Sequence, residues 1–230
     1  MSEFRPKETL TEQVAQHLEM QIVTGMLHSG ERILESAMAK KLSVSHGSVR
    51  EALLLLEKRY LVRSEPRKGT FVRELDETFV RGLYETLLLI LSHTSRKLVR
   101  NWTEADMARM EGLYQQMRAC QQRNDLVSFL NLGVEYTQAS LAYADNPFLV
   151  TLIQDLWPSA RRCSFLALRQ GNDIIEDNLA YMRDSLDAIR ARDEPRLLDI
   201  LERYAHQQCE QVLSCVRKES GRGPASSSQD

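Results

Sequence analysis

Between residues 43 and 59 the chain reads SVSHGSVREALLLLEKR, and this stretch leaves the rest little freedom. Val49, Ala52, Leu53 and Leu56 recur at three- and four-residue steps, so they share one face of a helix. His46, Gly47, Ser48 and Arg50 fall at the start of that helix. The polar turn Ser43-Val44-Ser45 separates it from a shorter helical segment at 35–42. Two helices joined by a turn, the second offering polar and basic groups at its exposed N-terminal end, form the arrangement that enters a DNA groove.

The flanks extend the pattern. Residues 9–27 carry an apolar stripe of Leu10, Val14, Leu18, Ile22, Val23 and Met26, with Thr11 as the expected N-cap and Gly25 near the stop. Residues 32–35 read as a connector. The runs 60–62 and 70–72 are β-prone and flank a basic loop containing Pro66 and Gly69, which predicts a hairpin. Three helices followed by a hairpin make a winged helix. Its tip, Arg67-Lys68-Gly69, is placed to reach an adjacent minor groove.

Charge supports this division. The chain's net charge is -2, yet residues 32–75, opening with Arg32, hold ten Lys/Arg against five Asp/Glu. From residue 76 on there are 18 Lys/Arg against 22 Asp/Glu. A basic field confined to one segment suits a small nucleic-acid module joined to something that does not touch phosphates.

Beyond Asp76 no strand is expected. Helices are predicted at 78–100, 104–123, 126–143, 147–170, 174–192 and 195–218, with N-cap signals at Thr103, Asp125 and Asn146-Pro147. Pro158 should kink the fourth of them. The expected fold is therefore mainly α. An N-terminal winged helix-turn-helix with a small β-hairpin (1–75) precedes an antiparallel bundle of six or seven helices (76–218) and a disordered tail (219–230). No apolar run approaches the ~20 residues of a membrane span, and the charged MSEFRPKETL start lacks a signal peptide's apolar centre, so a cytosolic address is expected. The four cysteines fit no metal or redox spacing and read as small buried apolar residues.

Taken together, Leu42-Ser43-Val44-Ser45, Val49-Arg50-Glu51-Ala52-Leu53, Leu61-Val62 and Gly69-Thr70-Phe71-Val72 resemble the GntR family of bacterial transcription regulators, specifically its FadR subgroup. Ala142-Tyr143-Ala144-Asp145-Asn146-Pro147 and Ala188-Ile189 with Asp193 extend the resemblance into the second half. It implies a homodimer on duplex DNA. Ser45, Ser48 and Arg50 match where the recognition helix meets phosphates and base edges, and Lys68 and Gly69 match the wing tip. An arginine at position 50 is suited to a bidentate guanine contact, whereas serine hydroxyls and a helix N-terminus favour phosphate. The competing reading of Arg50 is an ion pair with Glu51 or Glu57. Three positions depart from the family pattern: His46 stands where arginine is common, Ser36 where a basic or otherwise charged residue is frequent, and Tyr60 where glycine is usual. The first two point to a different operator; the third reads as a packing adjustment.

Many members of the subgroup hold a divalent metal through an aspartate and three histidines, and the metal helps bind a small carboxylate. Those positions fall here on Gly133, Thr137, Met182 and Tyr204, and shifting the frame by one brings in no usual ligand, so no cofactor or metal is expected. Where relatives face the cavity with arginine and glutamate, this chain has Leu87 and Leu91. The expected effector pocket, Leu87, Leu91, Thr137, Arg161, Met182 and Tyr204, reads either as the site of an apolar effector, such as a fatty acid or acyl thioester, or as a filled core. Arg161, Arg162 and Arg169 are candidates to meet an acidic head group, with a solvated face as the plainer reading.

The functional expectation is a sequence-specific regulator binding a pseudo-palindromic operator as a homodimer, with a small-molecule effector as a further candidate partner and no membrane partner. The alternative is a ligand-binding or scaffold bundle with weak, non-specific DNA binding. An enzyme is excluded by the lack of a glycine-rich phosphate loop and by five widely spread histidines.

Overall fold

The computed structural model describes residues 9–221 and separates the chain into two compact units. One comprises residues up to 74 together with 154–162; the other comprises 75–153 and residues from 163 on. The division at 74/75 falls one residue from the boundary read in the sequence. The return of 154–162 to the first unit was not foreseen.

The first unit is built on α1 (Leu10–Val23), β1 (Arg32–Ile33), α2 (Glu35–Leu42), α3 (His46–Lys58), β2 (Val62–Glu65) and β3 (Gly69–Val72). Its cap is Thr9, not Thr11. Thr9 Oγ1 accepts from Glu12 N, and the Glu12 carboxylate accepts from Thr9 N at 2.8 Å. That reciprocal box needs an acid three residues on; Glu12 stands there for Thr9, whereas Thr11 would meet Val14. Thr11 instead donates to Glu51 Oε2 at 2.9 Å.

The hairpin is one side of a three-stranded antiparallel sheet in the order β1-β3-β2. The supposed connector supplies the third strand, Arg32 pairing with Phe71 and Ile33 with Thr70. Two residues are too few to show a period of two, so only the distant partner defines this strand. Ile33 joins Leu18, Ile22, Val49, Leu56 and Val72 in the head's core.

Tyr60 corrects the packing reading. Its φ is +59°, and α3 ends in a left-handed cap in which Tyr60 N donates to Glu57 O and Leu61 N to Leu56 O, both at 3.0 Å. Glycine is usual at such a site because a Cβ costs roughly 1–2 kcal/mol there. Tyr60→Gly is expected to raise the unfolding free energy of this unit by about 0.5–1 kcal/mol, read as a higher urea midpoint at unchanged slope.

The second unit is helical throughout its described residues: α4 (Glu77–Asn101), α5 (Glu104–Gln122), α6 (Leu126–Leu141), α7 (Pro147–Leu168), α8 (Asn172–Arg190) and α9 (Glu194–Gly221). The caps Thr103, Asp125 and Asn146 stand where the sequence puts them. Arg192 adds one the sequence did not announce. Its guanidinium donates to the carbonyls of Val99, Arg100 and Trp102 and lies 4.7 Å from the Trp102 ring, closing the end of α4. α7 runs through Pro158 as one helix. The carbonyl deprived of its donor by that proline is Gln154's, the first residue of the segment grouped with the head. α9 reaches Gly221, so the tail expected from 219 begins as helix, and 222–230 lie outside the described residues. All four cysteines are buried, and none is in a disulfide. Among the described residues no helix is long and apolar enough to cross a membrane.

Candidate nucleic-acid interface and bundle cavity

In the first unit, the sequence pattern that makes α3 also fixes its exposed end. Val49, Ala52 and Leu56 are fully buried, which turns Ser45, His46 and Arg50 to solvent. Ser45 is the N-cap: its Oγ accepts from Ser48 N at 3.0 Å and lies 2.9 Å from Ser48 Oγ. The first task of this serine pair is thus to cap the helix and present its N-terminus, which is itself attractive to phosphate. His46 and Ser36 are exposed on the first turns of α3 and α2.

Arg50 is exposed and has no ion-pair partner among the described residues. The carboxylates that would hold it are engaged elsewhere: Glu51 accepts from Thr11, and Glu57 accepts from both Ser64 N and Ser64 Oγ. No ion pair of Arg50 with Glu51 or Glu57 forms among the described residues.

The wing is a tight turn in which Lys68 N donates to Glu65 O, with Pro66 second and Arg67 third. Arg67 has φ +66°, the conformation a type II turn needs at that place. Gly69 has φ +105°, and a Cβ there would stand 3.2 Å from Arg32 Nε, so the Arg32 side chain lies directly over the glycine. The fold thus brings Arg32, Arg67, Lys68 and Gly69 together. Lys68 is pulled back, paired with Glu65 at 3.0 Å.

A division among the cations follows. Lys58 pairs with Asp155, Arg59 with Glu19, and both Arg63 and Lys68 with Glu65. Arg32, Lys40, Lys41, Arg50 and Arg67 form no ion pair among the described residues. Lys40 and Lys41, at the end of α2, were missed in the sequence, although their adjacency in a basic segment was the available signal.

Arg161 and Arg162 belong to this first unit. Arg161 Nη1 lies 3.0 Å from Glu19 Oε1, whose other oxygen holds Arg59 at 3.0 Å. Arg162, buried, donates to Arg73 O and to Ser29 Oγ. Ser159 Oγ donates to Arg59 O at 2.9 Å. These partners remove Arg161 from the effector pocket proposed for it. Arg169 is exposed, in line with a solvated face.

Within the second unit a cavity of about 20 Å³ lies among α4, α5, α6, α8 and α9, room for one water molecule. Leu91 and Thr137 line it; Leu87, Met182 and Tyr204 do not. Leu87 and Met182 are core residues, and Tyr204 stacks on Tyr181 with ring centres 3.8 Å apart.

The positions that match the family's metal ligands do not fit a divalent cation. Gly133 carries no donor, and a Cβ there would stand 3.6 Å from Met117 Cε and 3.9 Å from Met182 Cε. Thr137 Oγ1 donates to Gly133 O, and the Tyr204 hydroxyl to Asn178 Oδ1. Burial holds the Tyr204 phenol well above its ordinary value, so it stays protonated.

Burial likewise pushes Tyr181 up to about 12 and raises Tyr136 strongly. A phenol that ionises later in the folded state than in the unfolded one stabilises below its unfolded value of about 10, and that contribution disappears as pH rises through the folded one. The second unit is therefore expected to lose stability steeply between about pH 10 and 12. The check is a series of melting temperatures against pH; Tyr181→Phe, which cannot ionise, should flatten the fall.

The chain matches the gntR family of bacterial regulatory proteins over residues 10–72 and the FCD domain over residues 82–207. It is 25% identical over 207 residues to the gluconate operon transcriptional repressor of Bacillus subtilis, covering 88% of this chain and 83% of that protein. Identity to the HTH-type transcriptional regulator McbR of Escherichia coli is 29% over 154 residues, 65% of this chain and 67% of the relative. The solved structure of E. coli McbR/YncC superposes with a TM-score of 0.75 at 21% identity, covering 93% of this chain and all of that one.

Proposed function

Because this chain belongs to the gntR family of bacterial regulatory proteins and carries an FCD domain, and is a transcription regulator, not an enzyme, we propose that it binds a pseudo-palindromic operator as a homodimer, one winged helix per half-site. The observation that carries this reading is the pattern of unpaired cations. Among the described residues Arg32, Arg50 and Arg67 have no carboxylate partner, while the neighbouring Lys58, Arg59, Arg63 and Lys68 do. Unpaired cations beside a capped, exposed helix N-terminus are what a phosphate backbone requires. Two copies would place two recognition helices in successive major grooves. The order of elements, a winged head followed by helices, supports the FadR-type arrangement. Such a regulator works in the cytoplasm, where its DNA is.

A small effector would act by favouring one arrangement of the paired heads over another, which only differential affinity can do. No charged side chain lines the cavity, so the carboxylate of a fatty acid would find no counter-ion there, which disfavours a fatty acid as that effector.

Random-sequence selection on the full-length protein tests the reading. Enrichment of a two-fold symmetric motif is expected; no enrichment would favour a helical bundle with weak, non-specific DNA binding. On the selected site, five unpaired cations per head predict a steep salt dependence. The plot of log affinity against log salt should have a slope of roughly -5 to -9.

A further inference from the structure

The cavity's lining has a chemical character of its own. Ser95 from α4, Tyr136, Thr137 and Ser140 from α6, and Tyr181 and Ser185 from α8 bring six hydroxyls to it, and every other lining residue is apolar. No charged side chain takes part.

Most of these hydroxyls have already given away their proton. Thr137 donates to Gly133 O, Ser140 to Thr137 O, Ser185 to Tyr181 O and Tyr136 to Met182 O. What such groups retain is oxygen lone pairs. Ser95 differs: it is 7% exposed and its hydroxyl has no hydrogen-bond partner among the described residues. The adjacent Thr94 takes the Leu91 carbonyl that Ser95 would otherwise use. The Ser95 oxygen is not fully enclosed, so its proton stays available to a small molecule that enters.

We propose that this cavity is a binding site for a small uncharged molecule bearing a hydroxyl, an alcohol or phenol, which donates to the acceptor oxygens and accepts from Ser95. This rests on the reading of the chain as a regulator and names the ligand class of its second unit. A carboxylate would face lone pairs with no cation to offset it, and an ammonium would be buried without a counter-ion; both are strongly disfavoured away from water. The metal that would recruit a carboxylate lacks its ligands, as Gly133 and Met182 show. A molecule larger than one water needs part of the lining to move. Met110 belongs to that lining, and the Met117 and Met182 thioethers end 3.6 and 3.9 Å from where a Cβ on Gly133 would stand. Unbranched thioethers change rotamer readily, so this part can yield.

The test uses three probes of matched size: benzyl alcohol, benzoate and benzylammonium, titrated at neutral pH into full-length protein with 13C-labelled methionine methyls. Benzyl alcohol is expected to shift Met110 saturably and leave Met26, exposed in the first unit, unchanged. The two ions should bind at least about tenfold more weakly. Ser95→Ala should weaken benzyl alcohol about tenfold while leaving the melting temperature nearly unchanged. Equal binding by benzoate or benzylammonium overturns the proposal, as does a benzyl alcohol titration that never saturates. A stoichiometric shift of the Met110 signal by zinc chloride overturns it too. Operator binding by the same samples, measured in parallel, reports on the regulator reading separately.

Discussion

Replacing Arg50 by alanine is expected to lower operator affinity by about thirtyfold at the least and about 20,000-fold at the most, with the circular dichroism spectrum unchanged. The first half follows from a bidentate arginine–guanine contact worth roughly 1–3 kcal/mol, lost at each of two half-sites. The second half follows from the structure. Arg50 is exposed, and Glu51 and Glu57 are held by Thr11 and Ser64, so among the described residues no side-chain bond breaks when the guanidinium goes. Discrimination at one base position should relax as affinity falls. Lys68→Ala offers the contrast: already paired with Glu65, it should cost less and equally on all sequences. Gel shifts of both variants on the selected site decide the matter, and wild-type affinity in Arg50→Ala would remove the recognition helix from the interface.

Glu19→Ala is expected to destabilise the first unit by about 3 kcal/mol. The Glu19 side chain is 9% exposed and bridges Arg59 and Arg161, each at 3.0 Å. Removing one member of such a group takes an ion-pair partner from the others, at a cost of roughly 3–5 kcal/mol when burial is complete. Arg59 retains some access to water, which places the effect at the lower end. Glu19→Gln keeps the shape and one hydrogen bond and should fall between. The chain has two tryptophans, Trp157 in the first unit and Trp102 in the second. On a Trp102→Phe background, urea unfolding followed by fluorescence therefore reports the first unit alone. An unchanged midpoint would mean that the carboxylate contributes nothing.

What was legible in the sequence was local. The α3 stripe, the caps at Thr103, Asp125 and Asn146, and the glycine at the wing all act within a few residues of themselves, and the structure keeps them. What escaped depends on distance along the chain. β1 exists because Ile33 meets Thr70. Glu19 finds Arg161 across 142 positions. The hydroxyls of the cavity come from three helices, and no spacing within one of them announces the set. Tyr60 is an intermediate case: its place in the pattern pointed to glycine, but only the φ angle shows why.

One consequence concerns how such regulators can be recombined. A head severed after residue 75 would leave behind Asp155, Ser159, Arg161 and Arg162, which bond Lys58, the Arg59 carbonyl, Glu19 and the Arg73 carbonyl. A chimera joined at that linker would inherit a recognition helix whose far end has lost its anchors. The workable exchange carries the middle of α7 along with it, so the operator-reading half of this protein is not a detachable cassette.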